Sequence, residues 1–132
     1  MKIYWKRVVI AGILSELLLL VIRVPFLRYD GPAPWAVNLL THFIPLFLGG
    51  LWIARKIESR LVLHGVLVGV VANLLLIMLA PLLILLKEPS NQQLISLLIS
   101  IPVKILGSTA GACVGGMRRK KQLAERAGNP PN

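Results

Sequence analysis

The stretch LVLHGVLVGVVANLLLIMLAPLLILL, residues 61–86, holds no Asp, Glu, Lys or Arg. About 20 predominantly apolar residues cover the roughly 30 Å hydrocarbon core of a bilayer, and this run exceeds that length. A surface helix of a soluble domain would show a continuous polar face, whereas polarity here is confined to His64 and Asn73. The segment reads as a membrane span. Working outward, residues 35–54, 92–117 and 8–27 form three more apolar stretches of spanning length, and together the four occupy most of the 132 residues. Only 15% of residues are charged, against about 25% in a soluble domain, and the mean hydropathy is +0.76. The expected fold is an all-α, four-helix transmembrane bundle over residues 1–117, followed by a basic, partly disordered tail at 118–132. The first stretch is longer than a signal-peptide core of about 7–15 residues and contains Glu16, so it reads as a retained span.

The connections RYDGPAP (28–34), RKIESR (55–60) and KEPSNQ (87–92) are short. Short links make consecutive helices antiparallel neighbours, which gives two helical hairpins. Charge sets the orientation. Lys2, Lys6, Arg7, Arg55, Lys56, Arg60, Arg118, Arg119, Lys120, Lys121 and Arg126 fall on one side, against Arg23, Arg28 and Lys87 on the other. Under the positive-inside rule this predicts cytoplasmic N- and C-termini. Tyr4, Trp5 and Trp52 are placed at the inner boundary, Tyr29 and Trp35 at the outer one, where amphipathic rings settle. A net charge of +10 does not imply nucleic acid, because basic residues beside spans are the orientation signal itself. The cluster Arg118, Arg119, Lys120 and Lys121 is expected to meet anionic lipid headgroups.

Each span carries one strongly polar residue near mid-depth. At a rise of about 1.5 Å per residue, Glu16 lies about 13 Å in, Asn73 and His42 about 18 Å and Lys104 about 20 Å. Each lies on a helical stripe with small residues: Gly12 and Ser15 beside Glu16, Gly49 beside His42, Gly65 and Gly69 beside Asn73, Gly107 and Ser108 beside Lys104. Small residues line helix–helix contacts, so the stripes point inward. A lone charge at the bilayer centre is costly, so Glu16 and Lys104 are expected to pair, with His42 and Asn73 hydrogen-bonding to the pair. Gly107, Gly111 and Gly115 repeat the G-x-x-x-G spacing, which marks a flank that another helix approaches closely. Its expected partner is the first or third span, or a second copy. Pro45, Pro81 and Pro102 fall inside spans, as shaping kinks or as hinges.

The halves echo each other, Arg7/Gly12 against Arg60/Gly65 and Pro45/Gly50 against Pro102/Gly107. Parallel repeats of that kind are related by an axis along the membrane normal. The single Cys113 cannot form an intramolecular disulfide. His42 and His64 have no second ligand at metal spacing, and no nucleophile–base–acid set converges, so neither cofactor, metal nor enzymatic activity is expected.

The segment from Gly49-Gly50 through the basic Arg55-Lys56, His64-Gly65 and Gly69, with the glycine-rich run from Gly107 into Lys121, resembles a family of small four-span bacterial membrane proteins catalogued as a domain of unknown function. The chain departs from that pattern at Ile53-Ala54 and Glu58, where the family has a smaller, glycine-containing turn. The resemblance implies the four-span topology and a bacterial plasma membrane, and no activity. The expected role is therefore that of a small integral membrane protein acting by helix packing, with other membrane subunits or with a second copy of itself. The alternative is a small transporter or channel built on Glu16, His42 and Lys104.

Overall fold

A computed structural model describes residues 3–23, 35–57, 60–86 and 91–128. It is all helical: α1 (Trp5–Arg23), α2 (Trp35–Lys56), α3 (Leu61–Leu86) and α4 (Asn91–Gly128). Three of them hold stretches long and apolar enough to cross a membrane: Ala36–Arg55, Leu61–Leu79 and Ile95–Glu125. At 19 residues α1 equals the shortest of these stretches, but Lys6, Arg7, Glu16 and Arg23 raise its charge. Pro45, Pro81 and Pro102 lie within continuous helices. Arg28, Tyr29, Glu58 and Lys87, and the side chains of Arg23, Trp35 and Lys56, fall outside the described residues.

Helix α4 continues past Met117 through the basic cluster to Gly128. The segment RRKKQLAERA is built from strong helix formers, and Lys121 faces Glu125 one turn on at 4.0 Å, a weak but favourable spacing. Residues 129–132 are outside the described residues.

Helices α2 and α4 share the most extensive interface, α3 packs on α4, α1 packs on α2 and α3, and α2 touches α3 only narrowly. Among the described residues α1 and α4 make no backbone approach, so they occupy opposite corners. The register is read from the glycines. Gly107 lies against Phe43, Gly111 against Phe47 and Gly115 against Leu51 and Ala54; both series ascend, so α2 and α4 are parallel. Gly65 meets Thr109 and Gly69 meets Ile105, so α3 and α4 are antiparallel. Tyr4 meets His64 and Gly12 meets Val71, so α1 and α3 are parallel. The two hairpins are therefore antiparallel pairs packed side by side. The internal echo does not become symmetry: an axis exchanging the hairpins would map α1–α4 onto α3–α2, yet among the described residues only the second pair makes a close backbone approach.

The glycine-rich flank of α4 corrects an expectation. Gly107, Gly111 and Gly115 face α2, not the first or third span. A Cβ on Gly111 would overlap the Phe47 carbonyl oxygen, and one on Gly50 would overlap that of Ser108. The neighbouring ridge of Ile105, Thr109 and Ala112 serves α3, where a Cβ on Gly69 would stand 2.7 Å from the Ile105 Cα. Without side chains in the way, backbones come close and dispersion contacts multiply, the main attraction between helices in lipid. The core that results centres on Val8, Ala11, Leu46, Ile53, Ile57, Val68, Ala72 and Ala112. By contrast Ile13, Leu17, Val21, Leu40, Leu74, Met78, Leu98 and Leu106 are among many large apolar side chains left exposed on all four helices.

Candidate functional site

Lys104 Nζ donates to Glu16 Oε1 at 2.5 Å, across the diagonal between the two helices that do not otherwise touch. The lysine reaches because small residues clear its path: Ser15, Ser108, Gly69 and Ala72 around the centre are all buried. Lys104 is the largest fully buried side chain, at 0% exposure, while the Glu16 side chain keeps 12%. Two opposite charges removed from water and held in contact cancel each other's field, which is the condition for tolerating either inside an apolar bundle.

The other two polar residues anchor on backbone. His42 Nδ1 lies 2.7 Å from the Asn38 carbonyl oxygen, which can only accept, so that nitrogen carries the proton. Thr41 donates to the same carbonyl at 2.8 Å, one turn before Pro45, which cannot donate. Asn73 Nδ2 donates to the Ile101 carbonyl at 3.2 Å, next to Pro102. Asn73 is thus not joined to the ion pair, contrary to expectation. The Asn73 amide is spent on the α4 backbone instead. Its Oδ1 is buried without a hydrogen-bond partner among the described residues.

Sequence reasoning missed a second polar link and a latch. Asn38 Nδ2 donates to Ser96 Oγ, tying the far end of α2 to α4. Asn38, four residues before His42 and so on the same helical face, was the available signal; Ser96 gave none, being one serine in an apolar helix. At the other end, His64 is fully buried, with Nδ1 2.9 Å from the Arg60 carbonyl oxygen and the Tyr4 amide directed at Nε2 at 3.5 Å. These bonds define a neutral ring protonated on Nδ1. Tyr4 stacks obliquely on that ring, centroids 6.0 Å apart, and the Arg7 guanidinium lies 5.2 Å from the Tyr4 ring centre. Arg60 holds φ of 54°, a left-handed conformation uncommon outside glycine, in order to present its carbonyl to His64. Arg119 reaches the Ile57 carbonyl at 3.4 Å, so the start of α1, the α2–α3 turn and α4 meet at one basic end.

Arg118, Lys120 and Lys121 are exposed there and Arg119 is half-buried. Cys113 is half-buried and free. Among the described residues no group of three His, Cys, Asp or Glu side chains could hold a metal ion. The arrangement does one thing chemically: it neutralises two buried charges and ties helices through side-chain-to-backbone bonds.

No curated protein and no solved structure matches the chain. A family profile described as "Protein of unknown function (DUF3792)" matches residues 5–118, a span that includes α1 to α3, α4 as far as Arg118, the ion pair and the glycine interfaces. The chain belongs to the DUF3792 family.

Proposed function

We propose that this is a small integral membrane protein with four spans and both termini on the cytoplasmic side of a plasma membrane, working without catalysis through helix packing, as an accessory subunit or in copies of itself. The observation that carries the reading is the inversion of the fold: apolar side chains of all four helices face outward while Glu16 and Lys104 are spent on each other inside. An exposed apolar surface on that scale needs lipid or protein against it. It also supports α1 as a span: Lys6 and Arg7 lie in its first turn, where long basic side chains reach the interface, and Glu16 is neutralised by Lys104. The clustering of Arg7, Arg60 and Arg119 at one end favours the proposed orientation.

Transport through Glu16, His42 and Lys104 has weaker support, because a carboxylate in contact with an ammonium leaves little charge to bind a moving cation. Purification in mild detergent separates the two. A stoichiometric partner, or a defined oligomer, together with proteoliposomes that conduct nothing, is the expected result. Ion or solute flux abolished by Glu16→Gln in a folded protein would sink the packing role in favour of transport. Single cysteines placed at Lys121 and between positions 24 and 34 of a Cys113→Ala background should label from opposite faces of the membrane.

A further inference from the structure

On the outer flank of the bundle α1 and α2 leave a groove of about 230 Å³. Its walls are Leu14 and Leu18 from α1 and Leu48 and Trp52 from α2, with Ser15 and Gly49 in its floor. The Ser15 hydroxyl donates to the Ala11 carbonyl at 2.8 Å, so its proton is already taken within α1. Leu14, Leu18 and Leu48 are exposed. The rims continue beyond the groove. On α1 the face Leu18, Leu14, Ala11 steps by four and three and then, by four, reaches Arg7. On α2 the face Leu48, Trp52 steps by three to Arg55. Spacings of three and four hold a single helical face, and the helices are antiparallel, so both rims finish in an arginine at the same end. Arg7 is held over the Tyr4 ring, and Arg55 is exposed.

We propose that this groove is a binding site for one anionic phospholipid, its acyl chain lying along Leu14, Leu18 and Leu48 and its phosphate between Arg7 and Arg55. Guanidinium groups match phosphate oxygens in geometry and charge, and Trp52 stands between chain and headgroup, at the depth where indole settles. The site rests on the membrane reading above. It differs from the attraction of the exposed 118–121 cluster, which acts on any anionic surface and is screened by salt.

The test uses Trp52 as reporter. Trp5→Phe and Trp35→Phe leave it as the only tryptophan, and the full chain is reconstituted in phosphatidylcholine vesicles containing a minor fraction of phosphatidylglycerol, with bromine on the acyl chains of one lipid or the other. Brominated phosphatidylglycerol is expected to quench Trp52 severalfold more than its mole fraction predicts. Arg7→Gln with Arg55→Gln should remove that excess while quenching by brominated phosphatidylcholine persists. Leu14→Phe with Leu18→Phe, which narrows the groove and keeps both charges, should reduce the excess too. Neutralising Arg118, Lys120 and Lys121 should leave it, as should added inorganic phosphate. Quenching in proportion to mole fraction, or an excess surviving the double arginine change, overturns the site. Selective quenching lost to inorganic phosphate overturns the assignment to a lipid. Absence of quenching by either brominated lipid overturns the membrane reading itself, and the site with it.

Discussion

Removing one partner of the Glu16–Lys104 pair should cost far more than removing both. At 2.5 Å the attraction is about 7 kcal/mol for an effective dielectric near 20. Desolvation of each ion takes back several kcal/mol, so the intact pair is close to neutral for stability. Lys104→Met leaves a carboxylate with no counter-charge. Its escape is to bind a proton, which costs an ordinary carboxylic acid about 4 kcal/mol at pH 7. Glu16→Gln leaves an ammonium, and neutralising an ordinary lysine amine costs about 5 kcal/mol at that pH. These ceilings agree with the 3–5 kcal/mol typical of a broken buried pair. The double variant has no buried charge and keeps only the smaller cost of an amide in an apolar site, about 1–3 kcal/mol. The assay is equilibrium unfolding in mixed micelles of mild detergent and sodium dodecyl sulfate, followed by circular dichroism. Losses of about 3–5 kcal/mol for each single change, and less than half of their sum for the double, are expected. Additivity to within about 0.5 kcal/mol would refute direct coupling.

The same assay checks three more outcomes. Gly50→Ala or Gly111→Ala, each driving a methyl group into a facing carbonyl, should cost about 1–3 kcal/mol by forcing α2 and α4 apart. Gly128→Ala, with nothing within 4 Å, should change stability by less than about 1 kcal/mol. Asn73→Leu trades one bond to Ile101 and an unpartnered Oδ1 for apolar packing, so a change within about 1 kcal/mol of zero is expected; a large loss would show that Oδ1 has a partner of its own. His64→Leu removes the acceptor for the Tyr4 amide and should raise hydrogen exchange at Tyr4 and through the first turn of α1, leaving the centre of α3 protected.

Much of the architecture was legible because it follows from local chemistry. An uncharged run such as 61–86 has few alternatives to a helix in lipid, since every backbone group must be satisfied within the segment. Basic residues flanking the apolar runs showed which ends belong together, and the structure brings Arg7, Arg60 and Arg119 to one end. The acid in α1 and the amine in α4 were legible as partners for an equally local reason: neither tolerates burial alone.

What the sequence could not supply was the order of helices around the bundle and, with it, who meets whom. Gly107, Gly111 and Gly115 announce close approach, but a small-residue ridge fits any partner equally well; only the packing placed it against Phe43, Phe47 and Leu51 of α2. Asn73 was assigned to the ion pair on depth and helical face, yet the Ile101 carbonyl of α4 takes its amide. His64 was legible only as one of two polar residues in 61–86; the Arg60 carbonyl and the Tyr4 amide, brought in by the fold, meet its two nitrogens. The apolar runs, the charge asymmetry and the need to pair Glu16 were determined by the sequence itself, because their energies depend on residue type and solvent. Partner identities and the helix order were decided by tertiary structure, because contacts between backbones depend on which faces meet, and composition carries no record of that.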